Sequence, residues 1–231
     1  MELIDTHCHL TALTEEELFT VIREALEAQV KRFICIGAGD GVNSAHVALQ
    51  LASKHRGIFA TVGIHPHDAK ITTDAHSLLP QAQNPRVLAI GETGLDFFRD
   101  WSPVDAQFEL FRNTIRLAKL VGKPLVIHCR DAQDDTMKVL REEGAESVGG
   151  VFHCYAGDAA LAQELREMNF LVSFTGNVTF KKAISIQEAA KNIPLDQIMV
   201  ETDMPYMAPE PFRGGPSAPK HVAIVAKKFT P

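Results

Sequence analysis

The chain has few cysteines, no long apolar run and no basic excess. Its four cysteines, Cys8, Cys35, Cys129 and Cys154, lie in or beside apolar strand-like runs and form no CxxC pair. That pattern excludes a disulfide framework and a zinc ribbon, and it suits a reducing compartment. No segment approaches roughly 18 uninterrupted apolar residues, so no membrane span is expected. The strand-like run Leu3-Ile4-Asp5 follows Met1-Glu2 directly, which leaves no room for a secretory leader. A soluble, cytoplasmic protein is expected. With 23 Lys and Arg against 29 Asp and Glu, the net charge of -6 provides no global footprint for clamping long DNA. Any nucleic acid has to be held locally.

Low-complexity tracts, charge blocks, repeats and an interdomain linker are also missing. The 231 residues, 45% of them hydrophobic and 23% charged, suit one large globular domain, residues 1–231, better than two small ones. Eight short aliphatic runs recur: Leu3 to Asp5, Phe33 to Ile36, Phe59 to Ile64, Val87 to Ile90, Leu125 to Ile127, Gly150 to Phe152, Leu171 to Phe174 and Ile198 to Val200. Stretches with helical spacing separate them, such as Glu15 to Gln29 and Val104 to Val121. Strand and helix in alternation predict parallel βαβ units. Polar residues of chemical type follow the apolar part of the strands: His7 and His9, His65, Glu92, His128, His153 and Asp203. An open sheet would scatter these positions, whereas a (β/α)8 TIM barrel gathers the C-terminal ends of its strands into one site. The Pro-rich stretch Met204 to Pro219 is expected to be a long loop at that end.

His7 and His9 share a parity at the end of the first strand, so both can reach one metal ion. Asp5, one layer deeper, is expected to orient a ligand histidine. By the same parity Cys8, Cys129 and Cys154, each directly after a candidate ligand histidine, are expected to pack toward the helices as small apolar groups. Glu92, in Gly91-Glu92-Thr93-Gly94-Leu95-Asp96, offers two oxygens and can bridge two cations. Asp203 completes a set of four histidines and two carboxylates at one end of five strands. Oxygen and imidazole ligands without thiolate suit Mg, Mn, Zn or Fe. Two such ions can activate water for an in-line displacement, which makes hydrolysis the expected chemistry.

The motifs Asp5-Thr6-His7-Cys8-His9, Gly63-Ile64-His65-Pro66, the Glu92 segment, Ile127-His128-Cys129-Arg130, His153-Cys154-Tyr155-Ala156-Gly157 and Glu201-Thr202-Asp203-Met204-Pro205 resemble, in order, the signatures of the TatD-type metal-dependent deoxyribonucleases. The resemblance runs from Asp5 to about Gly214. It implies a TIM barrel of the amidohydrolase superfamily, two divalent ions (Mg, Mn or Zn) and 3'-5' exonuclease activity on single-stranded DNA ends. It places His7, His9, Glu92 and Asp203 on one metal, and Glu92, His128 and His153 on the second. Asp203 then takes the proton of the attacking water, while Arg130 and His65 bind the phosphate as it develops charge. Arg99, Lys181, Lys182, Arg213 and Lys220 are weaker candidates for substrate contact, and Phe98 and Trp101 for stacking on a terminal base. Two rivals are a hydrolase of a small amide, lactone or phosphoester on the same scaffold, and a metal-binding protein without turnover.

The sequence departs from the family pattern in two places. Ser217-Ala218-Pro219 stands where members usually have Asn-Glu-Pro, which removes two polar anchors of the last loop. Only His221 to about Phe229 remain for the eighth helix, roughly two and a half turns. The outer faces of the first helix and of the first and eighth strands should therefore stay partly uncovered, giving either a dimer through this seam or reduced stability.

Overall fold

A computed structural model of the protein describes residues 2–229. Met1, Thr230 and Pro231, which the expected domain range includes, lie outside the described residues. Strands and helices alternate throughout: β1 (Leu3–Cys8), α1 (Glu15–Glu27), β2 (Val30–Cys35), α2 (Asn43–Lys54), β3 (Ile58–Val62), α3 (Leu79–Ala82), β4 (Val87–Asp96), α4 (Val104–Val121), β5 (Leu125–Arg130), α5 (Gln133–Glu142), β6 (Gly150–Phe152), α6 (Ala159–Glu167), β7 (Phe170–Phe174), α7 (Ile184–Asn192), β8 (Ile198–Val200) and α8 (Val222–Ala226). The eight strands form one sheet in the order β1 to β8, the (β/α)8 barrel architecture expected from the sequence. No helix among the described residues is long and apolar enough to cross a membrane.

The chain divides into two compact units. The first comprises the chain through Cys35, Cys154–Glu167 and the chain from Leu171 onward. In it β1 pairs parallel with β2 and β7 with β8, and the end of β1 also meets the segment after β8. There the Asp203 amide donates to the His7 carbonyl at 2.9 Å and the His9 amide to the Met204 carbonyl at 2.9 Å. Helix α1 starts at a capping box: the Glu17 amide donates to Thr14 Oγ1 at 3.3 Å, and the Thr14 amide to Glu17 Oε2 at 2.8 Å. Helix α8 is one and a half turns at most, shorter than expected, yet Val222 and Val225 are fully buried and the Phe229 ring meets Phe174 at 5.3 Å. Ile4 on β1 and Phe19 and Leu26 on α1 are exposed. The segment from Pro205 to Ala218 has no regular structure, and backbone amides near its end help to tie it down. The Ser217 amide donates to the Pro205 carbonyl at 2.9 Å, and the Ala218 amide to His221 Nδ1 at 3.1 Å.

The second unit comprises Ile36–His153 with Met168–Phe170. Its strands β3 to β6 pair in parallel, and α4 packs on β4 with Leu110, Phe111, Ile115 and Leu117 buried. Gly122 ends α4 in the left-handed region, φ 66°, where a side chain would be strained. The end of α5 is fastened to α4 through Glu143, which accepts from Arg112 Nη1 at 3.0 Å and from Arg116 Nε and Nη2 at 2.9 and 2.8 Å. Burial pushes the Glu143 carboxyl up, but the hydrogen bonds from Arg116 and Arg112 outweigh it and hold the pKa below the ordinary value. Its stabilisation is therefore present above the ordinary carboxylate range and lost as pH falls through the lowered value. Glu143→Gln is expected to cost about 1 kcal/mol at pH 7 and nothing once the wild-type carboxyl is protonated, as urea melts across pH would show.

Candidate metal centre

In the second unit, β4 carries the central groups. It extends six residues beyond the aliphatic run expected from the sequence, because Thr93 to Asp96 pair with Ile127 to Arg130 of β5. Gly94 lies opposite His128 at φ 137°, and a Cβ there would overlap the His128 carbonyl oxygen. This close approach sets Glu92 on β4 against His128 on β5. Glu92 Oε1 lies 2.9 Å from His128 Nδ1, 2.8 Å from His153 Nε2 and 3.5 Å from His65 Nε2. Burial raises the Glu92 pKa, but His153, His65 and His128 outweigh it and hold the carboxyl well below its usual range. Burial also holds His65 down to about 4, so its ring is neutral near pH 7. Because His65 Nδ1 accepts the His67 amide proton at 3.1 Å, the proton of the neutral ring sits on Nε2, facing Glu92.

Two groups here escape sequence reasoning. Asp96 Oδ2 lies 2.9 Å from His128 Nε2 and 2.8 Å from His67 Nε2. Asp96 Oδ1 accepts the amides of Phe98 and Arg99 at 3.0 and 2.9 Å, and Gln107 brackets the Asp96 backbone. The repeated His-x-His spacing of His65 and His67 was the available signal for the second histidine. Nothing local announces that Asp96 holds two imidazoles. With His128 Nε2–H given to Asp96, its Nδ1 lone pair faces a Glu92 oxygen at 2.9 Å, an arrangement that requires a proton or a cation between them. One ligand atom each from Glu92, His128 and His153 lies within 4.8 Å of the others, as is also true of His65, His67 and His128. Nitrogen and oxygen donors without thiolate fit Mg, Mn, Zn or Fe.

In the first unit, His7 and His9 turn the same way, as strand parity predicts. Their Nε2 atoms lie 3.6 and 3.3 Å from Asp203 Oδ1. Asp203 takes φ 53°, and the preceding Thr202 is gripped by Asp5: the Thr202 amide donates to Oδ1 at 2.9 Å and its hydroxyl pairs with Oδ2 at 2.5 Å. Burial pushes Asp5 up to about 8 against these hydrogen bonds and that of the His7 amide. Asp5, expected to orient a ligand histidine, thus touches His7 through its backbone amide and places Asp203 through Thr202. The cysteines are all free thiols, and Cys8 donates to the Ile34 carbonyl at 3.4 Å. Of the candidate substrate cations, Lys220 is spent on Glu24 at 2.7 Å, and Arg213 covers the Phe180 ring at 4.2 Å. Lys181 and Lys182 lie between β7 and α7, Lys181 exposed. The Arg130 guanidinium lies over Phe98.

A (β/α)8 fold whose strand ends carry clustered imidazoles and carboxylates defines a metal-dependent hydrolase. The family model for TatD related DNase matches residues 4–230, and the chain belongs to that family. It is 42% identical over 230 residues to the uncharacterized metal-dependent hydrolase YabD of Bacillus subtilis (strain 168), covering 98% of this chain and 89% of the relative. It is 31% identical over 183 residues to the 3'-5' ssDNA/RNA exonuclease TatD of Klebsiella pneumoniae (strain 342), covering 78% and 70%. The crystal structure of YjjV, a TatD homologue from Escherichia coli K12, superposes with a TM-score of 0.88 at 26% identity, covering 98% of this chain and 88% of that one.

Proposed function

We propose that the protein hydrolyses phosphodiester bonds of DNA, removing nucleotides from single-stranded 3' ends, with two divalent ions of the Mg, Mn or Zn type. In this reading His7, His9 and Asp203 hold one ion, and Glu92, His128 and His153 hold the other. The observation that carries it is the convergence of three imidazoles on one Glu92 oxygen, in a chain related to a protein named as an ssDNA/RNA exonuclease. A bound divalent pair supplies Lewis-acid stabilisation of the attacking and leaving oxygens. The Asp203 carboxylate takes the proton of the attacking water. His65 offers to a non-bridging phosphate oxygen the Nε2–H that faces Glu92 before substrate binds, and Arg130 offers the paired N–H groups suited to phosphate. His128 is kept in one tautomer by Asp96.

Purified protein is to be assayed on single-stranded DNA, RNA, a small phosphodiester and a dihydropyrimidine, each with Mg, Mn and Zn. Progressive shortening of DNA from its 3' end is the expected result, and turnover of the dihydropyrimidine alone would overturn the reading. Asp96→Asn tests the tautomer. Its Oδ1 is committed to the Phe98 and Arg99 amides, so the new amide NH2 would face His128 Nε2 and drive the imidazole proton to Nδ1, toward Glu92. Metal affinity measured by chelator competition should fall about 10- to 100-fold, and unchanged affinity would remove Asp96 from this role.

A further inference from the structure

The segment after β4 presents an aromatic and cationic surface. Phe98 and Trp101 are 51% and 53% exposed, high values for large apolar rings. The Arg130 guanidinium lies 3.8 Å from the Phe98 ring centre, and that of Arg99 lies 5.1 Å from Phe98 and 5.3 Å from Trp101. No carboxylate pairs with either guanidinium among the described residues, although Asp100 and Asp131 are sequence neighbours. A guanidinium lying over a ring keeps its edge N–H groups available to an acceptor. The Trp101 ring also meets His67 edge-on at 4.5 Å, and His67 shares Asp96 with His128. Half-exposed rings and guanidinium edges without a carboxylate partner thus adjoin His67 and, through Asp96, His128.

We infer that Phe98, Trp101, Arg99 and Arg130 form a subsite for an unpaired DNA strand, in which a base next to the cleaved nucleotide stacks on the rings while the guanidiniums take its phosphates. This rests on the nuclease reading and names how that site holds its substrate. The occupant follows from the chemistry of the surface. Rings provide a face for any base, and guanidiniums match phosphate charge. Bases stacked inside a duplex cannot turn onto an exposed ring, so the strand is unpaired. Because the subsite is local, it needs no basic excess over the whole chain.

Trp101 is the only tryptophan, so its emission reports on the subsite alone. The metal-loaded protein is titrated with a short phosphorothioate-linked oligothymidylate and with an abasic strand of the same backbone. The base-bearing strand should quench Trp101 and bind about tenfold more tightly than the abasic one. Phe98→Ala and Trp101→Ala should each abolish that preference, read by anisotropy of a labelled strand, whereas Trp101→Phe should keep it. An unmoved emission, equal binding of the two strands, or alanine variants that retain the preference would overturn the subsite. Cleavage of ordinary oligothymidylate by the wild type separates the two readings. Cleavage without a Trp101 response refutes the subsite alone, and neither binding nor cleavage refutes the nuclease reading with it.

Discussion

Replacing Glu92 with alanine is expected to lower hydrolysis by roughly a thousandfold or more and to reduce the metal held with His128 and His153. The reason is its location: a single buried carboxylate faces His128, His153 and His65 at 3.5 Å or less. Without it three imidazoles would converge with no anion among them, and cation binding would have to overcome their mutual crowding. Metal analysis of the purified variant beside turnover on DNA measures both effects. A Glu92→Ala protein with two ions and normal turnover would overturn the ligand role of Glu92. Asp203→Asn is expected to separate the effects, keeping most of the metal while losing turnover, since an amide ligates weakly but cannot accept the proton.

Gly94→Ala should be the most damaging single-methyl change at the site. The position combines φ 137° with a Cβ direction aimed at the His128 carbonyl oxygen, so the methyl group brings both backbone strain and overlap. Together they are expected to cost about 3 kcal/mol or more. In a chain of this size that lowers the melting temperature by roughly 6 to 12 °C. Relief is available only by moving β4 from β5, which would draw Glu92 and Asp96 away from His128, so metal affinity should fall with stability. A variant that melts normally and binds metal normally would show that the two strands tolerate separation there.

The strands and the clustering of candidate ligands were legible because each reading rests on local rules. Aliphatic runs such as Leu125 to Ile127 become strands, and the parity of His7 and His9 puts both on Asp203. What stayed hidden depends on partners distant in sequence. Gly91 to Gly94 looks like a turn, yet the strand continues through it because β5 offers a pairing edge. Asp96 reads as one more carboxylate until His67 and His128 are brought to it from two other strand ends. Asp5 was expected to orient a ligand histidine, and it also holds Thr202, a residue that no spacing rule connects to it.

That last contact bears on how the protein is made. Asp5 and Thr202 are 197 residues apart, so the clamp beneath His7 and Asp203 joins segments that are synthesised far apart in time. Bringing such distant segments together costs about 2 kcal/mol more chain entropy than closing a 20-residue loop. A nascent chain emerging from the ribosome carries β1 and its histidines long before the partner carboxylate exists. The first unit therefore brings Asp203 to His7 and His9 only after the segment that follows β8 has been made, and until then the edge of β1 that meets Met204 is open to other pairings.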